Sequence, residues 1–91
     1  MLKRVRMKIY GKVQGVFFRY ELKKLADELQ VKGFAKNNRI DGTLDVLAEG
    51  SNWTVDKIID FCKKGPKMSR VDNVQIKEEK PRGDYTKFEI I

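Results

Sequence analysis

The sequence predicts an α+β fold in which two helices pack on one face of an antiparallel sheet. Two observations carry this prediction: apolar residues alternate at a period of two in several segments and recur at a helical period in two others. Turn-forming residues separate these segments. Because a chain of 91 residues that is 41% hydrophobic supports one modest core, we expect residues 1–91 to form a single domain.

The first strand and the first helix are predicted from "VRMKIYGKV" and the residues that follow it. Val5, Met7 and Ile9 alternate with charged or polar residues, which is typical of a half-buried strand. From Phe18 the period becomes helical, and we predict a helix from about residue 18 to 30. Its apolar face consists of Phe18, Leu22, Leu25, Ala26 and Leu29.

A β-hairpin is predicted in the middle of the chain. The segments "GFAKN" and "TLDVLAEG" flank "NRIDG", in which Asp41-Gly42 is a turn signal. The second strand of this hairpin should bury Leu44, Val46 and Ala48.

A second helix and two final strands follow the hairpin. The stretch "SNWTVDKIIDFCKKGP" begins with the capping residues Ser51 and Asn52 and stops at Gly65-Pro66. Its apolar face consists of Val55, Ile58, Ile59 and Cys62, and we expect Trp53 to pack against the protein. The segments "RVDNVQIKEE" and "YTKFEII" alternate again around the polar "KPRGD" connection, which predicts two strands.

The predicted order is therefore β-α-β-β-α-β with a terminal strand added. This order matches the ferredoxin-like, split βαβ sandwich with both helices on one face of the sheet. The architecture hosts many functions and does not by itself select one.

Charge and composition narrow the chemistry. A net charge of +7 predicts attraction to phosphorylated metabolites, nucleic acids or acidic membranes. The absence of histidine removes the commonest general base and the commonest metal ligand. The single cysteine, Cys62, cannot form an internal disulfide, and we expect it to be a buried apolar residue. No carboxylates have the spacing of a metal site, so we expect no metal.

The N-terminal stretch "MLKRVRMKIY" alternates and does not lead into an apolar run, and no segment approaches the roughly 18 apolar residues of a membrane span. We expect a soluble, unprocessed and cytoplasmic monomer with no membrane partner.

The junction between the first strand and the first helix, "KVQGVFFRY", is the first candidate site. Gly11 and Gly15 allow positive φ and close approach of a ligand, and a helix N-terminus offers unpaired N–H groups. Arg19 falls in the first helical turn, where a positive charge opposes the helix dipole. The pattern fits either an anion cradle or a tight turn followed by a surface arginine.

Asn37 and Asn38 are the second candidate. Asparagine is common in turns, and both residues stand just before one. An amide also donates and accepts hydrogen bonds without ionising, so it could orient a water molecule.

Together these residues resemble the acylphosphatase family. The stretch from Gly11 to Arg19 is similar to the family signature G-x-V-Q-G-V-x-F-R, and "GFAKNNRIDGTLDV" resembles its second block. The stretch "KKGPKMSRVDNV" also resembles the family's segment after the second helix, so the likeness covers nearly the whole chain.

The resemblance implies hydrolysis of acyl phosphates, the mixed anhydrides of a carboxylic acid and phosphate, without metal or cofactor. It implies that a loop wraps the phosphate with backbone N–H groups, that Arg19 binds the phosphate oxygens and that Asn37 orients the attacking water. The implied phosphate-binding residues are Gly15, Val16, Phe17, Phe18 and Arg19. The implied partners are a small-molecule acyl phosphate and inorganic phosphate.

Two departures from the family pattern bear on the site. The family usually has three residues between its asparagine and the next glycine, whereas four separate Asn37 from Gly42. Either the turn is one residue longer or Asn38 takes the role. Glu21 also stands about where the family commonly has threonine or serine.

Two other functions compete with hydrolysis. "KGFA", residues 32–35, begins like an RNA-recognition signature, but Lys36 and Asn37 follow where apolar and aromatic residues are expected. We therefore expect no nucleic-acid partner. The other alternative is a domain that binds carbamoyl phosphate or a protein within a larger maturation pathway, and the length of the chain favours a free-standing enzyme over it.

Overall fold

The fold consists of one sheet covered on one face by two helices. The computed structural model describes residues 2–91. Its elements are β1 (Leu2–Lys12), α1 (Phe18–Leu29), β2 (Lys32–Asn37), β3 (Leu44–Ser51), α2 (Asn52–Lys64), β4 (Arg70–Glu79) and β5 (Phe88–Ile90). The predicted elements are confirmed, although only the last part of "YTKFEII" forms a strand.

The sheet is mixed, which corrects the expectation of a wholly antiparallel one. Its strand order is β4-β1-β3-β2-β5, and β5 pairs parallel with β2. The physical reason is the path of the chain. The strands β4 and β5 lie at opposite edges, and β4 runs opposite to β2, so a connection that reverses the chain brings β5 alongside β2 in the same direction.

The core lies between the sheet and the helices. Alternate residues of β1 and β3 point to this face, where Val5, Met7 and Ile9 meet Leu44, Val46 and Ala48. The helices contribute the buried residues Phe18, Leu22, Ala26, Val55, Ile58 and Cys62. The apolar faces predicted from periodicity are thus the faces that pack.

Cys62 and Trp53, both in α2, differ in their burial. Cys62 is fully buried as expected, and burial raises the pKa of its thiol. Trp53 does not pack as expected: it is 61% exposed in the first turn, with the Lys57 ammonium 6.0 Å from its ring centroid. Helical periodicity places it on the face opposite Val55 and Ile58, which are the residues that contact the sheet.

The open face of the sheet carries a buried arginine. Arg4 is 2% exposed, and its Nη1 donates to Glu49 Oε1 at 3.1 Å and to Asp84 Oδ1 at 2.8 Å. Its Nε donates to Glu79 Oε1 at 3.0 Å. The guanidinium therefore joins β1, β3, β4 and the connection before β5.

Glu49 fixes that connection to the sheet. Its carboxylate accepts hydrogen bonds from the backbone N–H groups of Arg82, at 3.1 Å, and Gly83, at 2.7 Å. Further along, the ring of Tyr85 packs on Phe34, with centroids 5.9 Å apart. These contacts hold residues 80–87 across the open face and deliver the chain to β5.

The ion pairs around Arg4 determine how the stability of the fold changes at acidic pH. Burial disfavours the ionised forms of Arg4 and Glu49, but hydrogen bonds outweigh it, so the pKa of Arg4 is raised and that of Glu49 is lowered. Hydrogen bonds from Arg6 and Arg4 lower the pKa of Glu79 to about 2, and the hydrogen bond from Arg4 lowers the pKa of Asp84. Carboxylates with lowered pKa stabilise the fold above their unfolded pKa, so the free energy of unfolding should fall as pH drops from about 5 toward 2.

We predict that Arg4→Met lowers the free energy of unfolding at pH 7 by about 3 kcal/mol, because it leaves the buried Glu49 carboxylate without its cation. Urea denaturation at several pH values measures the effect, and the gap to the wild type should shrink as pH falls. Arg6→Met is the control. Arg6 bonds Glu79 from an exposed position, so its loss should cost much less. Equal losses in the two variants would contradict this role of Arg4.

Candidate active site

The loop between β1 and α1 has an alternating backbone conformation. Gly15 has φ of 72° and Phe17 has φ of 62°, whereas Val16 between them does not have positive φ. Successive residues of opposite hand turn their N–H groups toward one side and form a concavity that binds anions. A bulky residue such as Phe17 rarely adopts positive φ, so this conformation points to a functional constraint.

The helix that follows begins without a side-chain cap. Phe17 is the N-cap, and its carbonyl accepts the first helical hydrogen bond, from Glu21 N–H at 3.0 Å. An aromatic side chain offers no acceptor to the N–H groups of the first turn. Without a side-chain cap, those donors remain available to an anion.

Buried side chains anchor the loop on both sides of its exposed residues. Val13 and Phe18 are each 1% exposed, and Val16 is buried as well. The Phe18 ring also meets the Phe61 ring edge-on, with centroids 5.8 Å apart. Since the side chains of Val16 and Phe18 lie in the core, only their backbone can contact a ligand.

Arg19 projects from the first turn of α1 toward the end of the chain. Its Nη1 donates to a main-chain oxygen of Ile91 at 3.2 Å, and the residue is half-buried. A guanidinium has five N–H donors, so this bond leaves most of its donors for another acceptor.

Asn37 carries a polar atom without a protein partner. It is the last residue of β2, pairs with Leu44, and shares the helix-side face with the buried Ala35. Within residues 2–91, no group hydrogen-bonds its Oδ1, although that atom is buried. Such an acceptor needs a partner, and a water molecule or a ligand can supply one.

Asn38, by contrast, is part of the turn. Its Oδ1 accepts the backbone N–H of Ile40 at 3.0 Å, and its own N–H donates to Thr43 at 2.9 Å. Its Nδ2 lies 3.5 Å from Asp45 Oδ2. Asn38 therefore belongs to the loop 38–43, outside β2.

Asp41 stabilises the far side of the same loop. Its carboxylate accepts hydrogen bonds from the hydroxyl of Thr43, at 2.6 Å, and from its backbone N–H, at 3.1 Å. The Lys8 ammonium lies 2.9 Å away. The Thr43 hydroxyl and then Lys8 lower the pKa of Asp41 to about 2.

Gln14 joins the two candidate segments, which the sequence reasoning missed. Its Nε2 donates to the carbonyl oxygens of Asn38, at 2.9 Å, and Thr43, at 3.0 Å. One amide thus ties the β1–α1 loop to both ends of the turn after Asn37. The sequence signal that could have indicated this role is an uncharged amide, Gln14, in a loop bounded by Gly11 and Gly15.

A cavity of about 410 Å³ unites the candidates. It is lined by Val13, Gly15, Phe17, Phe18, Arg19, Tyr20, Asn37 and Ile90. A neighbouring cavity of about 470 Å³ shares Arg19 and Asn37 and adds Asn38. Glu21, which stands about where the acylphosphatase pattern commonly has threonine or serine, lines neither of these two cavities.

The part of the chain that the structure describes has neither a metal-binding cluster of side chains nor a helix that could span a membrane. Within residues 2–91, no three His, Cys, Asp or Glu side chains come together as a metal-binding group. Neither helix in that range is long and apolar enough to cross a membrane.

Comparison with known proteins gives a consistent result. The acylphosphatase family model matches residues 5–90. The acylphosphatase of Pyrobaculum calidifontis is 37% identical over 90 residues, which are 99% of this chain and 82% of that protein. The acylphosphatase structure from Bacillus subtilis superimposes with a TM-score of 0.91 at 32% identity, covering 100% of this chain and 99% of that one.

A larger protein contains a similar domain. The structure of full-length HypF in its phosphate- and nucleotide-bound form superimposes with a TM-score of 0.88 at 29% identity. The match covers 100% of this chain and 12% of HypF. Because the family model matches residues 5–90 and the Pyrobaculum and Bacillus acylphosphatases are covered over 82% and 99% of their lengths, the chain belongs to the acylphosphatase family, hydrolases that act on acyl phosphates.

Proposed function

We propose that the β1–α1 loop and Arg19 hold the phosphate of an acyl phosphate while Asn37 orients the attacking water. The observation that carries this assignment is the meeting of three features in one cavity. These are the alternating backbone at Gly15 and Phe17, the Arg19 guanidinium and the unpartnered Asn37 Oδ1.

The phosphate-binding group consists of Gly15, Val16, Phe17, Phe18 and Arg19. The first four contribute backbone N–H groups, and Arg19 contributes a planar fork suited to two phosphate oxygens. These donors are fixed before the substrate arrives, so they stabilise the charge that develops on the phosphate oxygens in the transition state.

The proposed reaction does not require a strong general acid or general base. Water oriented by Asn37 Oδ1 attacks phosphorus, and the bond from phosphorus to the acyl oxygen breaks. The carboxylate leaves with the bonding electrons, and a proton of the water passes to a phosphate oxygen. Because a carboxylate is a good leaving group, positioning and charge stabilisation suffice without histidine.

We also propose that residues 1–91 act as one domain and as a monomer. The exposed edge strand β4 supports the latter, since its charged side chains, Lys77 and Glu78 among them, disfavour pairing with a second sheet. The contact of Phe34 with Tyr85 argues against an RNA platform, because the Phe34 ring is already packed against a tilted ring of the protein itself. Cytoplasmic location stays a prediction.

Hydrolysis should not depend on a metal ion, because Arg19 and backbone N–H groups supply the positive charge that the phosphate requires. Dialysis against EDTA should leave the hydrolysis rate of benzoyl phosphate unchanged. A lost rate that added magnesium or zinc restores would overturn this expectation.

Arg19→Lys should lower kcat/KM by about 100-fold and weaken inhibition by inorganic phosphate, because lysine keeps the charge but loses the two-pronged geometry. Steady-state kinetics with benzoyl phosphate measures both effects. Arg82→Lys, on the open face of the sheet, is the matched control and should behave like the wild type. Near-normal turnover by Arg19→Lys at an unchanged melting temperature would remove Arg19 from the site.

Asn37→Ala and Asn38→Ala should separate catalysis from turn stability. Losing the Asn37 amide should lower kcat roughly 100-fold with little change in phosphate inhibition, because the phosphate-binding donors stay in place. Losing the Asn38 amide should lower the melting temperature, since it removes the bond to Ile40 N–H, with a small effect on kcat. A large kcat loss confined to Asn38→Ala would reverse the assignment.

A further inference from the structure

Exposed apolar side chains are concentrated around the proposed site. Within residues 2–91, the large exposed hydrophobic residues are Leu2, Phe17, Tyr20, Ile40, Trp53, Met68, Ile76, Ile90 and Ile91. Five of these nine line the two cavities that share Arg19 and Asn37. Single exposed hydrophobic residues are ordinary, but a contiguous group beside a cavity marks a binding surface.

Three members of this group line the cavity that contains the phosphate loop. Phe17 is 76% exposed, Tyr20 is 59% exposed, and Ile90 on β5 is exposed as well. Phe17 and Tyr20 lie at the start of α1, whereas Ile90 lies on β5, so no local sequence pattern places Ile90 beside the other two. The apolar wall they form adjoins Gly15, where the phosphate is proposed to bind.

We propose that this apolar wall binds the acyl group of the substrate and gives the enzyme a preference for acyl phosphates with an aryl or bulky alkyl group. The proposal rests on the phosphate-binding role of the loop. The acyl group is joined to the phosphate through a single oxygen, so a phosphate held by the loop places the acyl carbon within the same cavity. The cavity volume of about 410 Å³ falls in the range of about 300–1,000 Å³ that accommodates small organic molecules.

The neighbouring cavity suggests a different acyl group, and the experiment below distinguishes the two possibilities. It contains Lys36 and Arg39, which suit an acyl group carrying a second negative charge, but also the carboxylate of Asp45. The phosphate loop favours the first cavity, because Gly15 and Phe17 line it and do not line the second.

The test measures kcat/KM for acetyl phosphate, benzoyl phosphate and succinyl phosphate, whose acyl groups are small, aromatic and anionic. Tyr20→Ala removes the one aromatic ring of this apolar wall that lies outside the loop, and alanine is a good helix former in α1. Tyr20→Phe keeps the ring. Trp53→Ala is the matched control, because Trp53 is equally exposed in the first turn of α2 and lines neither cavity.

We expect Tyr20→Ala to reduce kcat/KM for benzoyl phosphate about fivefold more than for acetyl phosphate, the factor that one aromatic contact provides. Tyr20→Phe should retain the preference, and Trp53→Ala should not alter it. Comparing each variant with the wild type on the same substrate cancels the difference in leaving-group reactivity.

Two results would overturn the proposal. One is an equal change on both substrates in Tyr20→Ala, and the other is a wild-type kcat/KM higher for succinyl phosphate than for benzoyl phosphate. Failure of the phosphate-binding role is detected separately, because wild-type turnover of acetyl phosphate and its inhibition by inorganic phosphate do not depend on an apolar wall.

Discussion

The structure around the site depends on the left-handed conformation of Phe17. With φ of 62°, this residue reverses the backbone so that the loop closes and α1 begins at Phe18. A left-handed backbone costs a non-glycine residue about 1–2 kcal/mol. The same conformation turns the N–H groups inward and places Arg19 in the first helical turn. The aromatic side chain of Phe17 offers no acceptor, so the donors of that turn stay uncapped.

The cost of this conformation is offset by the packing around it. Val13, Val16 and Phe18 are buried on both sides of the exposed residues of the loop, so relaxation at Phe17 would require moving side chains out of the core. Gln14 adds a second constraint from the opposite side, because its amide bonds both ends of the turn after Asn37. The loop and the strand end that bears Asn37 are therefore held as one unit, as preorganised catalysis requires.

Local pattern was sufficient for most of the fold and for the side of the sheet that Asn37 faces. A period of two makes Asn37 share the face of Ala35, and this inference needed no knowledge of distant residues. The parallel pairing of β5 was not accessible in the same way. It depends on the hydrogen bonds that Glu49 accepts from the backbone of Arg82 and Gly83, which follow it by 33 and 34 positions. Short-range periodicity carries no information about contacts so distant in sequence. The positive φ of Phe17 could not be predicted either, because phenylalanine, unlike glycine, does not favour that conformation.

Two arginines show how surroundings assign different roles to one residue type. Arg4 is surrounded by the carboxylates of Glu49, Glu79 and Asp84, so its charge is neutralised and serves to fix the connection to β5. Arg19 donates to a main-chain oxygen, and within residues 2–91 no side-chain carboxylate forms an ion pair with it. Most of its N–H donors are therefore left for a ligand, beside a loop whose N–H groups can bind an anion. The carboxylates of Glu49, Glu79 and Asp84 lie on the open face of the sheet, where they stabilise the fold through Arg4.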